Sequence, residues 1–224
     1  MAEHEDRPGL HGFLQEAFAC SGEIAVAIGR HAAERRFRPA AVIIRQGDAM
    51  GEALLLCLGR ARARAYTRDG ELVVLSDFVP GDLLGALAAS RETSESEVVA
   101  IEESAIAAFL AQDFVMLAER FGCVGLALSR SLLRQLRAAT VRMVERTTLT
   151  AAGRVCAELL RLADLADGRT IRPVPVLAGL AARVQTTRES ASRAVSALER
   201  RGVIRRDAEA LVIVARGRLE ELVV

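Results

Sequence analysis

The sequence has no tryptophan and one tyrosine, Tyr66, and aromatic residues make up only 4% of its 224 positions. A core must therefore be built from Leu, Val, Ile and Ala. Lysine is absent too: all 30 basic residues are Arg. No apolar run approaches the roughly 20 residues of a transmembrane helix, so no membrane partner is expected. The first residues, Met1 to Leu10, are polar and acidic, unlike a secretory signal. The four cysteines, Cys20, Cys57, Cys123 and Cys156, stand too far apart for any metal-ligand spacing. No metal site is expected, and reduced thiols in a cytoplasmic protein are. No nucleophile–base pair is visible. Gly81-Asp82-Leu83-Leu84-Gly85 lacks the Lys and Ser/Thr of a phosphate-binding loop, so an enzyme is not expected.

What is present is an ordinary globular balance, 51% hydrophobic and 26% charged. The length fits one large domain or two small ones. Net charge is +1, but unevenly spread. Residues 1–150 hold 17 basic and 20 acidic side chains, and residues 151–224 hold 13 and 9. A mildly basic C-terminal third is compatible with a nucleic-acid partner, and equally with a solvated surface.

Residues 10–37 read as short helices, with Phe13, Leu14, Ala17, Phe18, Ile24 and Ile28 at helical spacing. Residues 38–110 change character. Runs such as Ala41 to Ile44, Leu54 to Leu58, Leu72 to Leu75 and Val98 to Ile101 alternate with Gly, Pro and Asp turns, which predicts a sandwich or barrel. From Asp113 to Glu145 there is no Pro, and one long helix is expected. Leu132, Leu136, Ala139 and Met143 repeat at spacings of a coiled-coil seam, while Leu126, Leu133 and Thr140 form a second stripe. Two stripes imply two partners, the β-domain and a second subunit. The alternative is a single core helix. Thr147 to Thr150 reads as a hinge. Thr150 caps a helix with Val155, Leu159, Leu162 and Leu165 as its apolar stripe, ended by Asp167-Gly168.

Residues 176–204 predict two helices joined by a tight turn. The second starts at Thr186 or Thr187, with Thr186 and Glu189 fitting a capping box. Ala191, Ala194, Val195 and Leu198 are its buried stripe. Arg188, Glu189, Ser192, Arg193 and Ser196 face away. Gly202 stops it, and Val203 to Arg206 with Leu211 to Val214 form a β-hairpin wing. In such a unit the start of the second helix enters the DNA major groove. There Arg reads guanine and Glu accepts from the cytosine amino group. The competing reading is a solvated face with Glu189 and Arg193 paired at i,i+4. Arg183, Arg200 and Arg201 are expected at phosphate or solvent, and Thr187 and Thr186 at phosphate.

From about residue 36 the chain resembles the Crp/Fnr family, relatives of the cyclic-AMP receptor protein. Phe37-Arg38-Pro39, Gly47-Asp48, Gly59 and Asp77 to Gly85 resemble its β-roll. Leu180 to Arg193 resembles its winged helix–turn–helix, and Arg188-Glu189 with Arg193 the pattern of members reading a TGTGA-like half-site. The resemblance implies an α+β fold. It divides into N-terminal helices and a jelly-roll sensor over 1–112, a dimerisation helix over 113–146, and a winged helix–turn–helix over 147–224. It also implies a homodimeric transcription regulator, with double-stranded DNA and RNA polymerase as partners and the seam of Leu132, Leu136, Ala139 and Met143 between subunits.

The effector pocket departs from the family. Cyclic-AMP-binding members carry Gly-Glu-Leu where this chain has Gly85-Ala86-Leu87. They carry an Arg-Ser or Arg-Thr pair where it has Ser94-Glu95. Arg91 is the nearest basic residue. Thr140 falls near the family's adenine-touching position, with helix packing as its other reading. The resemblance therefore implies no cyclic AMP bound in the usual way and no cofactor. The alternative is another nucleotide, such as cyclic di-GMP, held by other residues. Only Cys20 stands in the N-terminal segment, against an iron–sulfur cluster, and His4, His11 and His31 all precede the roll, against haem. Redox control through one of the cysteines stays open.

Overall fold

A computed structural model describes residues 9–67, 70, 72–87 and 93–224. The chain divides into two units, one of residues 1–65 and 75–138, the other of 66–74 and 139–224.

Two short helices, α1 (Leu10–Phe18) and α2 (Gly22–Gly29), precede eight strands, which belong to the first unit except for Tyr66 and residues 72–74. These are β1 (Ala32–Phe37), β2 (Val42–Ile44), β3 (Glu52–Leu58), β4 (Ala61–Tyr66), β5 (Leu72–Phe78), β6 (Leu83–Gly85), β7 (Glu97–Ala100) and β8 (Ser104–Leu110). They form two four-stranded sheets, ordered β1-β8-β3-β6 and β2-β7-β4-β5, the expected jelly roll. The Leu-rich run of β3 is continuous because both its faces are covered. Leu54 and Leu56 pack inside the roll with Phe78 and Ile106. Ala53 and Leu55 pack outward, in a cluster with Leu14, Phe18, Phe109 and Phe114. Phe109 and Phe114 meet edge to face at 5.4 Å.

Two expectations fail here. Residues 32–37 are not helical: Ala32 pairs with Phe109 and Phe37 with Ser104 along β8. The run Ala-Ala-Glu-Arg-Arg-Phe has little strand propensity, and pairing to a buried strand overrides it. The long helix from 113 to 145 is also broken. α3 (Ala111–Arg120) ends at Phe121, whose backbone is extended, and α4 runs Gly122–Thr148.

The second unit holds the end of α4, then α5 (Ala151–Asp164), β9 (Thr170–Ile171), α6 (Leu177–Val184), α7 (Arg188–Arg200), β10 (Ile204–Arg206), β11 (Leu211–Ile213) and α8 (Arg216–Glu221). Thr150 caps α5 as expected, its Oγ1 accepting from the Gly153 amide at 3.0 Å. Val155 and Leu159 are buried, but Leu165 is exposed, and Cys156 and Ala163 fill the core instead. The wing gains a third strand, since β11 pairs with both β10 and β9. Among the described residues no helix is long and apolar enough to cross a membrane.

Candidate nucleic-acid interface and effector cavity

Helix α6 ends at Gln185, which adopts the left-handed conformation. Arg154 of α5 supports this turn: its Nε donates to the Val184 carbonyl at 2.8 Å and its Nη2 to that of Gln185 at 3.3 Å. A cation on the last carbonyls of a helix satisfies groups that have no intrahelical partner. α7 then starts one residue later than the capping box required. Thr187 is the cap, its Oγ1 accepting from the Ser190 amide at 3.1 Å. Thr186 is half-buried and its amide bonds the Ala181 carbonyl at 3.0 Å. Glu189 is thereby not used in capping.

Ala191, Val195 and Leu198 anchor α7 in the core. Arg188, Glu189 and Arg193 are exposed on its opposite side, with Ser192 half-buried beside them. The i,i+4 pair does not form: Arg193 donates to Ser190 Oγ at 3.2 Å. Among the described residues no hydrogen bond or ion pair engages the side chains of Arg188 or Glu189. Arg200, Arg201 and Arg205 add exposed positive charge at the far end of α7 and on the wing.

Arg183 overturns its expectation. It is mostly buried and its Nη1 bonds Glu158 Oε1 at 3.0 Å, so it serves the domain's interior. Glu158, itself buried, also takes Arg161 Nε at 3.0 Å, and Arg161 Nη1 reaches Glu145 at 2.6 Å. The chain of charges thus joins the end of α4 to α5 and α6. The i,i+3 spacing to Arg161 on α5 was a local signal for Glu158, but its bond to Arg183 joins it to α6, which no local pattern marks.

The second site is a cavity of about 270 Å3 in the roll. Strand residues such as Ala63, Phe78, Leu84 and Val98 line it, together with Leu128 and Leu132 of α4. Its polar lining is Ser94, Ser96 and Gln135; none of its described lining residues is charged. Gly85, Ala86, Leu87 and Ser94 line it as expected. Gly85 has φ +92°, and a Cβ there would strike the Glu52 carbonyl oxygen. Glu95 is exposed and is not part of the lining, whereas Ser96 is. Thr140 is exposed and is not part of the lining. Arg91 lies outside the described residues. Of the seam residues, Leu132 also lines the cavity.

Two cations of β4 are committed to carboxylates. Arg62 bonds Asp77 at 2.6 Å and Arg64 bonds Glu97 at 2.7 Å. One wall is held by three polar residues of α4 at i, i+3 and i+4. Ser131 Oγ accepts the Leu83 amide at 3.0 Å, Arg134 bonds buried Asp82 at 2.8 Å, and Gln135 donates to the Leu83 carbonyl at 2.9 Å. That spacing, on a helix otherwise read for its apolar stripe, was the available signal.

A jelly roll, a long helix and a winged helix–turn–helix define a class of transcription regulators. Residues 34–121 match the cyclic nucleotide-binding domain and residues 153–222 the Crp-like helix-turn-helix domain. The chain is 31% identical over 203 residues to the cyclic AMP receptor protein of Thermus thermophilus, covering 88% of each. It belongs to the Crp/Fnr family, a family of transcription regulators rather than enzymes. Its fold is shared with FixK2 from Bradyrhizobium japonicum (TM-score 0.72, 22% identity, 85% of this chain and 96% of that one). It is shared too with the c-di-GMP-responsive regulator CLP of Xanthomonas campestris (TM-score 0.77, 19% identity, 86% and 99%).

Proposed function

We propose that this protein is a cytoplasmic homodimer that reads a palindromic, TGTGA-like operator and works with RNA polymerase. The observation that carries this reading is the unengaged Arg188 and Glu189 beside Arg193 at the start of α7. In this assignment Arg188 and Arg193 contact guanines, Glu189 accepts from a cytosine, Ser192 touches a base edge, and Thr187 with Thr186 meets phosphate. The functional division is sensor to 112, dimerisation helix 113–146 and reader from 147. Support for the dimer is the apolar face of α4: Leu132, Leu136 and Met143 are 50%, 63% and 62% exposed in the single chain, with Ala139 exposed between them. Apolar exposure of this extent along one helix marks a protein interface.

The sensor, in this reading, does not hold cyclic AMP in the family's manner. An enclosed phosphodiester needs charge-assisted donors, and the described cavity lining offers only hydroxyls and an amide. The same lack weighs against cyclic di-GMP.

Binding-site selection from random DNA tests the reader. Glu189→Ala should relax one position of each half-site, a loss of about 1–3 kcal/mol of discrimination. Arg201→Ala should weaken all sequences alike or do nothing. An unchanged Glu189→Ala logo removes Glu189 from the readout, and a non-palindromic wild-type logo removes the symmetric dimer.

A further inference from the structure

Helix α5 carries a polar stripe. Arg154, Glu158 and Arg161 stand at i, i+4 and i+7, so they share one face over two turns. The stripe reaches the same two neighbours at both ends. At the upper level Arg161 bonds Glu145 of α4 and Glu158 bonds Arg183 of α6. At the lower level Arg154 Nη1 donates to the Leu149 carbonyl at 2.9 Å, in the link that follows α4. Its Nε and Nη2 donate to the carbonyls of Val184 and Gln185, at the end of α6.

The two levels differ in chemistry. Glu158 makes the upper bridge a set of ion pairs. Among the described residues no carboxylate meets Arg154, and its half-buried guanidinium is spent on three main-chain carbonyls. A guanidinium presents its N–H groups in a rigid planar fork, so carbonyls that share it are held in one mutual geometry. Its charge makes each bond stronger than one between neutral groups. Gln185 is the residue that needs such a hold. Its φ of +50° is left-handed, which a residue with a Cβ disfavours and adopts where its surroundings impose it. Thr186 and Thr187 alone separate Gln185 from Arg188, the first residue of α7.

We propose that Arg154 is a positioning residue for base reading. It ties the α4–α5 link to the turn, and so sets where the first turn of α7 presents Arg188 and Glu189. The inference rests on α7 being the helix that enters the groove. It is separable from that reading because Arg154 acts through the turn and not by touching a base. Lysine here keeps the charge and loses the fork. Exposed arginines of the reader then still meet phosphates, but the base-reading side chains are no longer held in one orientation.

The test uses the full chain as wild type, Arg154→Lys and Arg154→Met. The probes are the duplex that wild type enriches from random DNA and a scrambled duplex of equal length and composition. Affinities are read by fluorescence anisotropy at one salt concentration. Arg154→Lys should bind the enriched duplex roughly tenfold more weakly or worse. It should bind the scrambled duplex within about twofold of wild type, because charge sets that affinity. Arg154→Met should lose the preference to the same extent. Amide hydrogen exchange should quicken in peptides covering residues 181–187 and stay unchanged in those covering 155–159. An unchanged ratio of the two affinities in Arg154→Lys overturns the proposal. So does a variant that loses both affinities and its melting temperature together, since Arg154 is then only a support of the domain. A wild type that enriches no sequence overturns the reading of α7, and the proposal falls with it.

Discussion

The roll and the reading head treat the same residue, arginine, in opposite ways. In the roll, Arg35, Arg62 and Arg64 are each bonded to a carboxylate, Glu52, Asp77 and Glu97. The described cavity lining is left uncharged. On α7, Arg188 stands exposed with no such partner among the described residues, next to a Glu189 likewise unengaged among them. Behind that face the arginines are again committed, Arg183 to Glu158 and Arg154 to the carbonyls of Val184 and Gln185. Abundance of a charge type therefore says little about binding. A cation that has a carboxylate stabilises the fold, and one that lacks it is available to an anionic partner.

The sharpest test concerns the proposed dimer, which would present two reading heads together. Leu136→Asp should break the α4 seam. A Leu buried in the proposed seam would contribute about 1.5–3 kcal/mol, and a two-fold axis would count the loss twice. Sedimentation should show monomers, and binding to a palindrome should fall to that of a half-site; a dimeric mutant refutes the seam. Next in size is Glu158→Ala, which strips Arg183 and Arg161 of their buried carboxylate. Breaking a buried pair from one side costs about 3–5 kcal/mol, less here because Arg161 is 40% exposed. Urea unfolding should show the loss in the second unit while the roll's transition stays put.

The comparison can also be inverted, by giving the described cavity lining the cation it lacks. Ala86→Glu with Ser94→Arg places the family's residue types on two positions that line it. Titration calorimetry should then show cyclic-AMP affinity at least tenfold above wild type, about 1.4 kcal/mol. No gain means that the lining is not what excludes the nucleotide. The smallest effect is at the turn before β9. The amide of Thr170, then its hydroxyl and the Arg169 amide, hold the Asp167 carboxyl down to about 2. A depressed carboxyl stabilises fully above its unfolded value near 4 and loses that contribution as pH falls toward 2. Asp167→Asn should lower stability modestly at pH 5 and match wild type by pH 2 in acid titrations of unfolding.

The strands were readable wherever β-branched or Leu runs met Gly and Asp turns, as at β2, β3, β5 and β7. The reading helix was readable because Ala191, Val195 and Leu198 keep helical period and Gly202 ends it. β1 was not, since Glu34, Arg35 and Arg36 gain their strand conformation from β8 and not from themselves. The break at Phe121 escaped for a related reason. Gly122 is a weak signal alone, and Leu117 and Val124, both buried, must pack on the same cluster from two helices. The cap of α7 slipped by one residue because Thr186 and Thr187 are chemically alike, and the αL residue Gln185 decides between them.

By itself, the order of residues determined periodicity, turns and caps, for these are interactions among near neighbours in the chain. It therefore determined a sandwich-or-barrel strand region, the helical character of α4, and a C-terminal helix that keeps Arg188, Glu189 and Arg193 off its buried stripe. Which arginines find a carboxylate, and that Asp82 is clasped by α4, were decided only by the tertiary structure. Each joins positions with no common period, and only packing of the elements against their clusters brings such side chains within reach.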